Sequence, residues 1–191
     1  DKRSDIDQQI SMTQASISNL NEQVQQYSLL IAEKQKELEA AQEAEARIRA
    51  AETLGLALPG DDLDSLSLCD GEAIFTLNWG ELGEDYNRLL RLVFSPEVKK
   101  SAHGVKDLMG LALAEGLGTE GFVFDTELAA YVLDPTESGY DLGKLTKRYL
   151  GAELPEARAA LELMAPMRAK LAENGAEKLY FDIELPLCQV L

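Results

Sequence analysis

The first fifty residues carry a seven-residue repeat of apolar side chains. One series recurs at every seventh position, and a companion series lies three residues after each of its members. The first series is Ile10, Ile17, Val24, Ile31 and Leu38, and the second is Ile6, Thr13, Leu20, Tyr27, Lys34, Ala41 and Ile48. No Gly or Pro occurs between residues 6 and 48. The repeat predicts a coiled-coil helix over residues 1–51, which buries its stripe against a partner.

The partner of this helix is open at the level of sequence. A helix of this length measures on the order of 65 Å, at about 1.5 Å per residue, and is too long to lie along a small domain. It therefore pairs with a second copy, as a homodimer, or with another chain, or part of it stays free. Polar Thr13 and Lys34 either set the register or are tolerated imperfections. Phrases such as Gln35-Lys36-Glu37-Leu38-Glu39 resemble the coiled-coil stalks of bacterial cell-wall hydrolases.

After residue 52 the pattern changes to short apolar runs separated by turn residues. Thr53–Leu58 reads as a buried strand that ends at Pro59-Gly60, and Asp70-Gly71 joins two further strands in a hairpin. Those two strands are residues 65–69 and 73–78, and they are followed by a helix at 85–94, a strand at 98–102 and a helix at 105–114.

The second half of the chain continues this alternation. An apolar strand, Gly121–Phe124, leads into Asp125, which is placed to cap a helix that ends at Asp134-Pro135. The next helix begins at Asp141 and ends at Gly151. Further helices are expected over 155–173, with a kink at Pro166, and over 179–191. A hairpin followed by alternating strands and helices predicts an α/β domain with a mixed sheet over residues 52–191.

Charge limits the functions that this chain can have. The net charge is −16, from 18 basic and 34 acidic residues, and a strongly acidic chain repels nucleic acid. Cys69 and Cys188 lie in no metal-ligand spacing, and a single histidine, His103, excludes multi-histidine metal sites within this chain. No apolar run approaches the ~18 residues that span a bilayer, so we expect a cytoplasmic protein without a membrane partner.

The amino-acid sequence of the second half resembles that of a known family. Phe124-Asp125-Thr126, Leu128-Ala129-Ala130-Tyr131-Val132-Leu133-Asp134-Pro135 and Arg148-Tyr149-Leu150-Gly151 are similar to the late half of the 3′-to-5′ exonuclease domain of bacterial family A DNA polymerases. The similarity extends to residues 100–108 and to Phe181–Leu187, which in the family leads into the polymerase domain. It implies a ribonuclease-H-like fold, a role in DNA replication and repair, and a polymerase domain as partner.

The carboxylates that the family needs are missing from their expected positions. Such exonucleases hold two divalent metal ions with four carboxylates. The first strand, Thr53–Leu58, has no acid, and Leu108 stands at the second ligand position with Asp107 one residue early. The segment 154–176 has neither Tyr nor Asp for the third motif, and offers Arg158, Glu162 and Arg168 instead. We therefore expect an exonuclease-like domain without catalytic residues, metal or cofactor. We expect it to bind DNA only weakly or through its parent protein.

Two alternatives stay open. An Asp-x-Glu pattern occurs at Asp70 and Glu72, at Asp125 and Glu127, and at Asp182 and Glu184. An active metal-dependent exonuclease would use Asp125 and Glu127 as ligands, with Asp107 or Asp141 as the third. The second alternative is a scaffold protein that assembles through its coiled coil.

Overall fold

Helix α1, Lys2–Ala50, is continuous through the whole heptad region of the computed structural model, which describes residues 2–188. The chain divides into two compact units, one that ends at Glu39 and one that begins at Ala40. In the first unit the heptad side chains are exposed. In the second unit Ala41, Ala44 and Ile48 of the same helix are buried in a hydrophobic core. The predicted helix is confirmed, whereas the coiled coil stays a prediction.

The second unit is built on one five-stranded mixed sheet in the order β3-β2-β1-β4-β5. The strands are β1 (Leu54–Ala57), β2 (Ser65–Cys69), β3 (Ile74–Asn78), β4 (Lys100–Ala102) and β5 (Phe122–Asp125). β1 pairs with β2 and β2 with β3 in antiparallel fashion, while β1, β4 and β5 are parallel. The predicted mixed sheet and its hairpin are therefore confirmed. Gly71 has a φ of 96° in the hairpin turn, a conformation that favours glycine.

Eight further α-helices and a π-helix complete the described part of this unit. They are α2 (Trp79–Leu82), α3 (Asp85–Val93), α4 (Val105–Ala114), α5 (Thr126–Leu133), α6 (Leu142–Leu150), α7 (Glu156–Glu162), α8 (Met164–Glu173), the π-helix Leu179–Glu184 and α9 (Leu185–Leu187). Asn78 caps α2 by accepting a hydrogen bond from the Glu81 amide, and the hydrophobic pattern gave no prediction of this short helix.

Two predicted helices differ in form from the expectation. The helix expected over 155–173 is interrupted at Leu163, which ends α7 and begins α8. Pro166 explains the break, since it lacks an amide hydrogen and its ring would collide with the carbonyl of residue 162 in a continuous helix. The helix expected over 179–191 begins as a π-helix, and residues 189–191 of that prediction lie outside the described residues.

Two hydrophobic clusters hold the elements of the second unit together. The larger one joins the end of α1 to β1, β2, α3 and α4, and includes Leu56, Leu66, Leu89 and Leu108. The smaller one gathers β5, α5, α6, α8 and the π-helix around Phe124. Within residues 2–188 no helix combines the length and the apolar character that crossing a membrane requires.

Candidate functional site

A cleft of about 370 Å³ opens at the carboxyl ends of the parallel strands β1 and β4. In open α/β sheets this edge is where ligands commonly bind, because loops and helix starts converge there. We call it the strand-edge cleft. Its walls come from the end of β1, the β4–α4 junction and the first turns of α5, α6 and α7. The lining residues are Leu56, Ala57, Leu58, His103, Gly104, Asp107, Leu108, Leu111, Glu127, Asp141, Leu142 and Glu156.

The floor of the cleft is apolar. Leu56 on β1 is 1% exposed and Leu108 on α4 is 5% exposed, and both line the cleft. These are the two elements on which the family resemblance places metal-binding carboxylates. A leucine side chain offers no oxygen to a hard divalent cation, so neither side chain can replace a metal-binding carboxylate.

Helix α7 lies directly against strand β1 beside this floor. A Cβ atom at Gly55 would stand 1.9 Å from the carbonyl oxygen of Ala157, so a side chain at Gly55 would force the helix away from the sheet. Ser101 of β4 donates a hydrogen bond of 2.6 Å to the carbonyl of Ala160 and fixes the same helix. The sequence analysis did not predict this contact, although an isolated glycine within a strand is a signal that could have indicated a close backbone approach.

Four carboxylates occupy the rim of the cleft. Asp107, Glu127, Asp141 and Glu156 all line it, and all four residues are exposed. Asp141 is also the cap of α6, since its side chain accepts a hydrogen bond of 2.9 Å from the Lys144 amide. Among residues 2–188, no three His, Cys, Asp or Glu side chains stand close enough together to hold a metal ion. The four acidic residues therefore line the same cleft, but their carboxylates do not come close enough together to form a metal site.

Asp125 does not belong to this rim. Its side chain is 3% exposed, and its carboxylate accepts hydrogen bonds from four backbone amides. Glu127 and Leu128 donate to Oδ1 at the start of α5, as does Gly104, while Val105 donates to Oδ2 at the start of α4. The prediction that Asp125 caps a helix is confirmed, and the same carboxylate also serves a second helix. Both oxygens are turned to amides, which leaves them poorly placed for a metal ion shared with Glu127.

Tyr180 reaches the backbone of the same residue from the π-helix. Its hydroxyl accepts a hydrogen bond of 2.7 Å from the Asp125 amide and donates one of 2.9 Å to the Asp125 carbonyl. Because β5 is the edge strand, this pairing satisfies groups that no neighbouring strand covers. Burial raises the pKa of Tyr180 strongly, so the hydroxyl keeps its proton. The sequence pattern placed Tyr180 in an apolar helix and gave no sign of this contact.

His103 is held locally at the cleft wall. Its Nδ1 lies 2.9 Å from Oγ1 of Thr126, a buried residue at the start of α5. This contact agrees with the expectation that His103 packs or caps locally. The imidazole ring has the Thr126 hydroxyl as its hydrogen-bond partner.

The remaining candidate acids and bases lie away from the cleft lining. Asp70 forms an ion pair of 2.7 Å with Arg47 at the β2–β3 turn. Arg158 pairs with Glu162 at 3.1 Å, and Arg168 lies 4.9 Å from the ring centroid of Phe181. Glu72, Asp182 and Glu184 do not line the cleft either. Cys69 and Cys188 are both free thiols.

A buried lysine at the opposite edge of the sheet was missed by the sequence analysis. Lys100, the first residue of β4, is fully buried, and its ammonium donates to the carbonyls of Ser95, Val98 and Glu120 at 3.2, 3.0 and 2.7 Å. Burial lowers its pKa to about 8, and the nearby Glu120 carboxylate opposes this shift. Lys100 stands beside Lys99 in a mixed polar and apolar stretch, and nothing in the spacing distinguishes the buried lysine from the exposed one.

Sequence comparison connects the chain to a larger protein. No family model matches the chain. DNA polymerase I of Mycobacterium tuberculosis is 27% identical over 168 residues, which covers 72% of this chain and 19% of the relative. DNA polymerase I of Mycobacterium leprae is 29% identical over 136 residues, covering 56% and 15%. The chain is homologous to part of DNA polymerase I. Its match spans about a fifth of the length of these curated relatives.

Solved structures share the fold. The POL domain of Pol1 from M. smegmatis, in complex with DNA primer-template and dNTP, has a TM-score of 0.67 at 22% identity and covers 78% of this chain and 29% of that one. A protein from Bifidobacterium adolescentis has a TM-score of 0.56 at 19% identity, with 75% and 43% covered. The structural matches support the mixed α/β architecture.

Proposed function

We propose that residues 52–191 form a 3′-to-5′ exonuclease-like domain of ribonuclease-H-like fold that does not cleave DNA. In this proposal the domain supports a neighbouring polymerase domain during DNA-templated DNA synthesis in the bacterial cytoplasm. Homology to part of DNA polymerase I supports the family, and the hairpin followed by alternating helices and strands suits the proposed fold.

The observation that carries this proposal is the apolar floor of the strand-edge cleft. A two-metal nuclease positions its attacking water and its leaving oxygen with ions that lie ~3.5–4 Å apart, held by converging carboxylates. Here β1 supplies no acid, Leu108 is buried at the second ligand position, and α7 meets the sheet through alanines. The acids that remain lie on the exposed rim.

The charge of the cleft argues in the same direction. Its lining includes four acids and no Lys or Arg, and phosphate contacts in nucleic-acid complexes are made largely by basic side chains. We therefore assign DNA binding to the polymerase domain of the parent protein, and only weak contact with DNA to this unit.

The last described helical segment supports the proposed partner. Leu179, Ile183 and Leu187 recur at every fourth residue, and they are 43%, 52% and 39% exposed. Residues four apart lie on the same face of a regular helix, so the three leave an apolar strip without cover. In our proposal this strip packs against the polymerase domain, into which the family's equivalent segment leads.

An exonuclease assay tests the proposal. The chain is incubated with a mismatched primer-template and with single-stranded DNA, first in Mg²⁺ and then in Mn²⁺. We expect no shortening, because no carboxylate set converges on a metal pair. Metal-dependent shortening would contradict the proposal if the double variant Asp107→Asn/Glu127→Gln lost it.

A matched control distinguishes cleavage at the strand-edge cleft from a general effect of removing two acidic side chains. Asp182→Asn/Glu184→Gln removes two acids of the Asp-x-Glu pattern outside the cleft. Shortening that survives in both double variants would identify a contaminating nuclease. Asp125 is not used for this test, because its removal would disturb the start of two helices.

A further inference from the structure

The heptad side chains of residues 6–38 form a continuous exposed stripe in the first unit. Ile6, Ile10, Ile17, Leu20, Val24, Tyr27, Ile31 and Leu38 are between 47% and 64% exposed. The stripe has the a/d spacing of a coiled coil, with Ile10, Ile17, Val24 and Ile31 at position a and Leu20 and Tyr27 at position d. We name these eight side chains the heptad seam.

The seam is large enough to drive association. It runs over more than the three to four heptads that mark a coiled coil. Full burial of a large apolar side chain contributes about 1.5–3 kcal/mol, at about 25 cal/mol per Å² of buried area. Each such side chain therefore corresponds to roughly 60–120 Å² of buried area. Eight side chains from each of two helices would then bury on the order of 1,000 Å² or more, which reaches the range of specific interfaces.

The charges around the seam permit a second copy of the same chain. Two chains that each carry a net charge of −16 repel one another in general. Residues 8–32, however, contain a single charged side chain, Glu22, which lies at position f on the opposite face. The flanking e and g positions there are Gln9, Gln14, Ser16, Asn21, Gln23, Ser28 and Leu30. Over residues 8–32, therefore, the faces that would meet carry no like charges.

The types of apolar residue at position a favour two parallel strands. β-branched Ile or Val at position a, combined with Leu at position d, is typical of parallel dimers. Four successive a positions here are Ile10, Ile17, Val24 and Ile31, and Leu20 is the one Leu among the d positions from Ile6 to Lys34, so the preference comes from position a.

The two polar d positions indicate how the copies align. In a parallel, in-register pair, Thr13 faces Thr13 and Lys34 faces Lys34. In an antiparallel pair centred on the seam, Ile31 would face Thr13 and Ile10 would face Lys34. The Thr13 hydroxyl donates to the Gln9 carbonyl at 2.8 Å, and the Lys34 ammonium lies 2.7 Å from the Glu37 carboxylate, so each polar group has a partner on its own helix. A Thr13 layer matched with itself costs less than Thr13 set against isoleucine, and the Glu37 carboxylate on each helix offsets the repulsion between two facing Lys34 ammonium groups.

We propose that residues 6–38 join two copies of this chain in a parallel, in-register, two-stranded coiled coil. This inference does not depend on the proposed exonuclease-like function.

Sedimentation equilibrium of the whole chain tests the proposal. We expect a mass of twice 21.0 kDa at tens of micromolar. The double variant Ile17→Asp/Val24→Asp places charges at two a positions and should weaken dimerisation at least a hundredfold, leaving a monomer at the same concentration. The matched control is Met12→Asp/Leu29→Asp, which also replaces exposed apolar residues but at positions c and f, and it should stay dimeric.

Disulfide trapping tests the alignment. In a Cys188→Ser background, where the remaining Cys69 is fully buried, Ile10→Cys should form a self-linked dimer on mild oxidation. An antiparallel pair would instead link Ile10→Cys to Lys34→Cys in a mixture of the two variants. A monomeric parent, a higher oligomer, a dimer that survives both seam charges, or the mixed disulfide would each overturn the proposal. Near-ultraviolet circular dichroism around Trp79 shows whether each variant keeps its folded second unit.

Discussion

The two ends of the parallel strands each bury one ionisable side chain, and its hydrogen bonds are satisfied in opposite ways. At the carboxyl edge the Asp125 carboxylate accepts four backbone amides from two helix starts. At the amino edge the Lys100 ammonium donates to three backbone carbonyls. Neither group forms an ion pair in the described structure. Backbone groups can therefore satisfy a buried ionisable side chain in this domain without a direct ion pair, although the Glu120 carboxylate also favours the charged form of Lys100.

The two sites differ in how well the backbone suits the charge. The first amides of a helix have no partner within the helix, and their dipoles favour an anion. Lys100 meets loop carbonyls instead, and burial depresses its pKa to about 8. We therefore expect Asp125 to stabilise the fold through its four hydrogen bonds, and Lys100 to hold its charge at a cost.

The largest effect is expected from Asp125→Ala. The substitution leaves four amides without their acceptor and uncaps α4 and α5, so we expect a loss of about 3–5 kcal/mol in the free energy of unfolding. Urea denaturation measures it. Asp141→Ala is the matched control, since this exposed cap accepts one amide and should cost only about 1 kcal/mol. Equal losses in the two variants would remove the special role of Asp125.

The next effect is the pH dependence of Lys100. Its pKa in the folded state lies below the ordinary value of 10.5, so between about pH 8 and 10.5 the unfolded chain binds more protons than the folded chain. Stability should therefore rise with pH across this window, by at most about 3 kcal/mol, since each pKa unit corresponds to about 1.4 kcal/mol. Below pH 8 this contribution is constant.

Comparison with Lys100→Met isolates that contribution. The methionine variant should lack the rise, because it has no proton to lose, and should be less stable at pH 7 by about 1–3 kcal/mol because three carbonyls lose a donor. Urea titrations of both proteins at several pH values measure the difference. A pH profile identical in the two proteins would show that Lys100 keeps its proton throughout.

Asp70 differs from Asp125 and Lys100 because it forms an ion pair, with Arg47. Burial tends to raise the pKa of Asp70, but the hydrogen bonds from Arg47 and from the Ala73 and Glu72 amides lower it to about 2. The stability that this group contributes is present above about pH 3.8 and is lost as the pH falls towards 2. Asp70→Asn should lower the free energy of unfolding by about 1–2 kcal/mol at pH 7. The variant should also lose less stability than the parent protein as the pH falls from about 3.8 towards 2.

The smallest expected effect is that of Tyr180→Phe. It removes one hydroxyl and leaves the buried Asp125 amide and carbonyl without partners, for a loss of about 1–2 kcal/mol. Ring packing against Phe124, at 5.1 Å between centroids, is retained. Hydrogen exchange should be faster at the Asp125 amide, and unchanged exchange there would show that another acceptor replaces the hydroxyl.

Local signals predicted much of this fold. The Asp-Gly turn, the caps Asp125 and Asp141, and the terminal Gly151 each act within a few residues, so sequence alone placed the hairpin and the helix ends correctly. The heptad likewise predicted α1, because the periodicity of a helix is a property of the segment itself.

Contacts between distant residues could not be predicted in this way. The carboxylate of Asp125 also caps α4, Tyr180 joins the π-helix to β5, and Lys100 binds loop carbonyls from two segments, none of which follows from spacing. The same limit applied to the cleft. The sequence predicted that metal ligands are missing from their expected positions, but not that Asp107, Glu127 and Asp141 share a rim while Asp125 lies apart.

The hydroxyl of Tyr180 also gives the second unit a path for mechanical load. A pull on the segment from Leu179 to Cys188 would be resisted in part by the two hydrogen bonds between Tyr180 and the backbone of Asp125, whose side chain holds the first turns of α4 and α5. Besides the covalent chain, these bonds connect the segment to the last residue of β5. Any protein segment tethered there would be anchored to the sheet rather than to a surface loop.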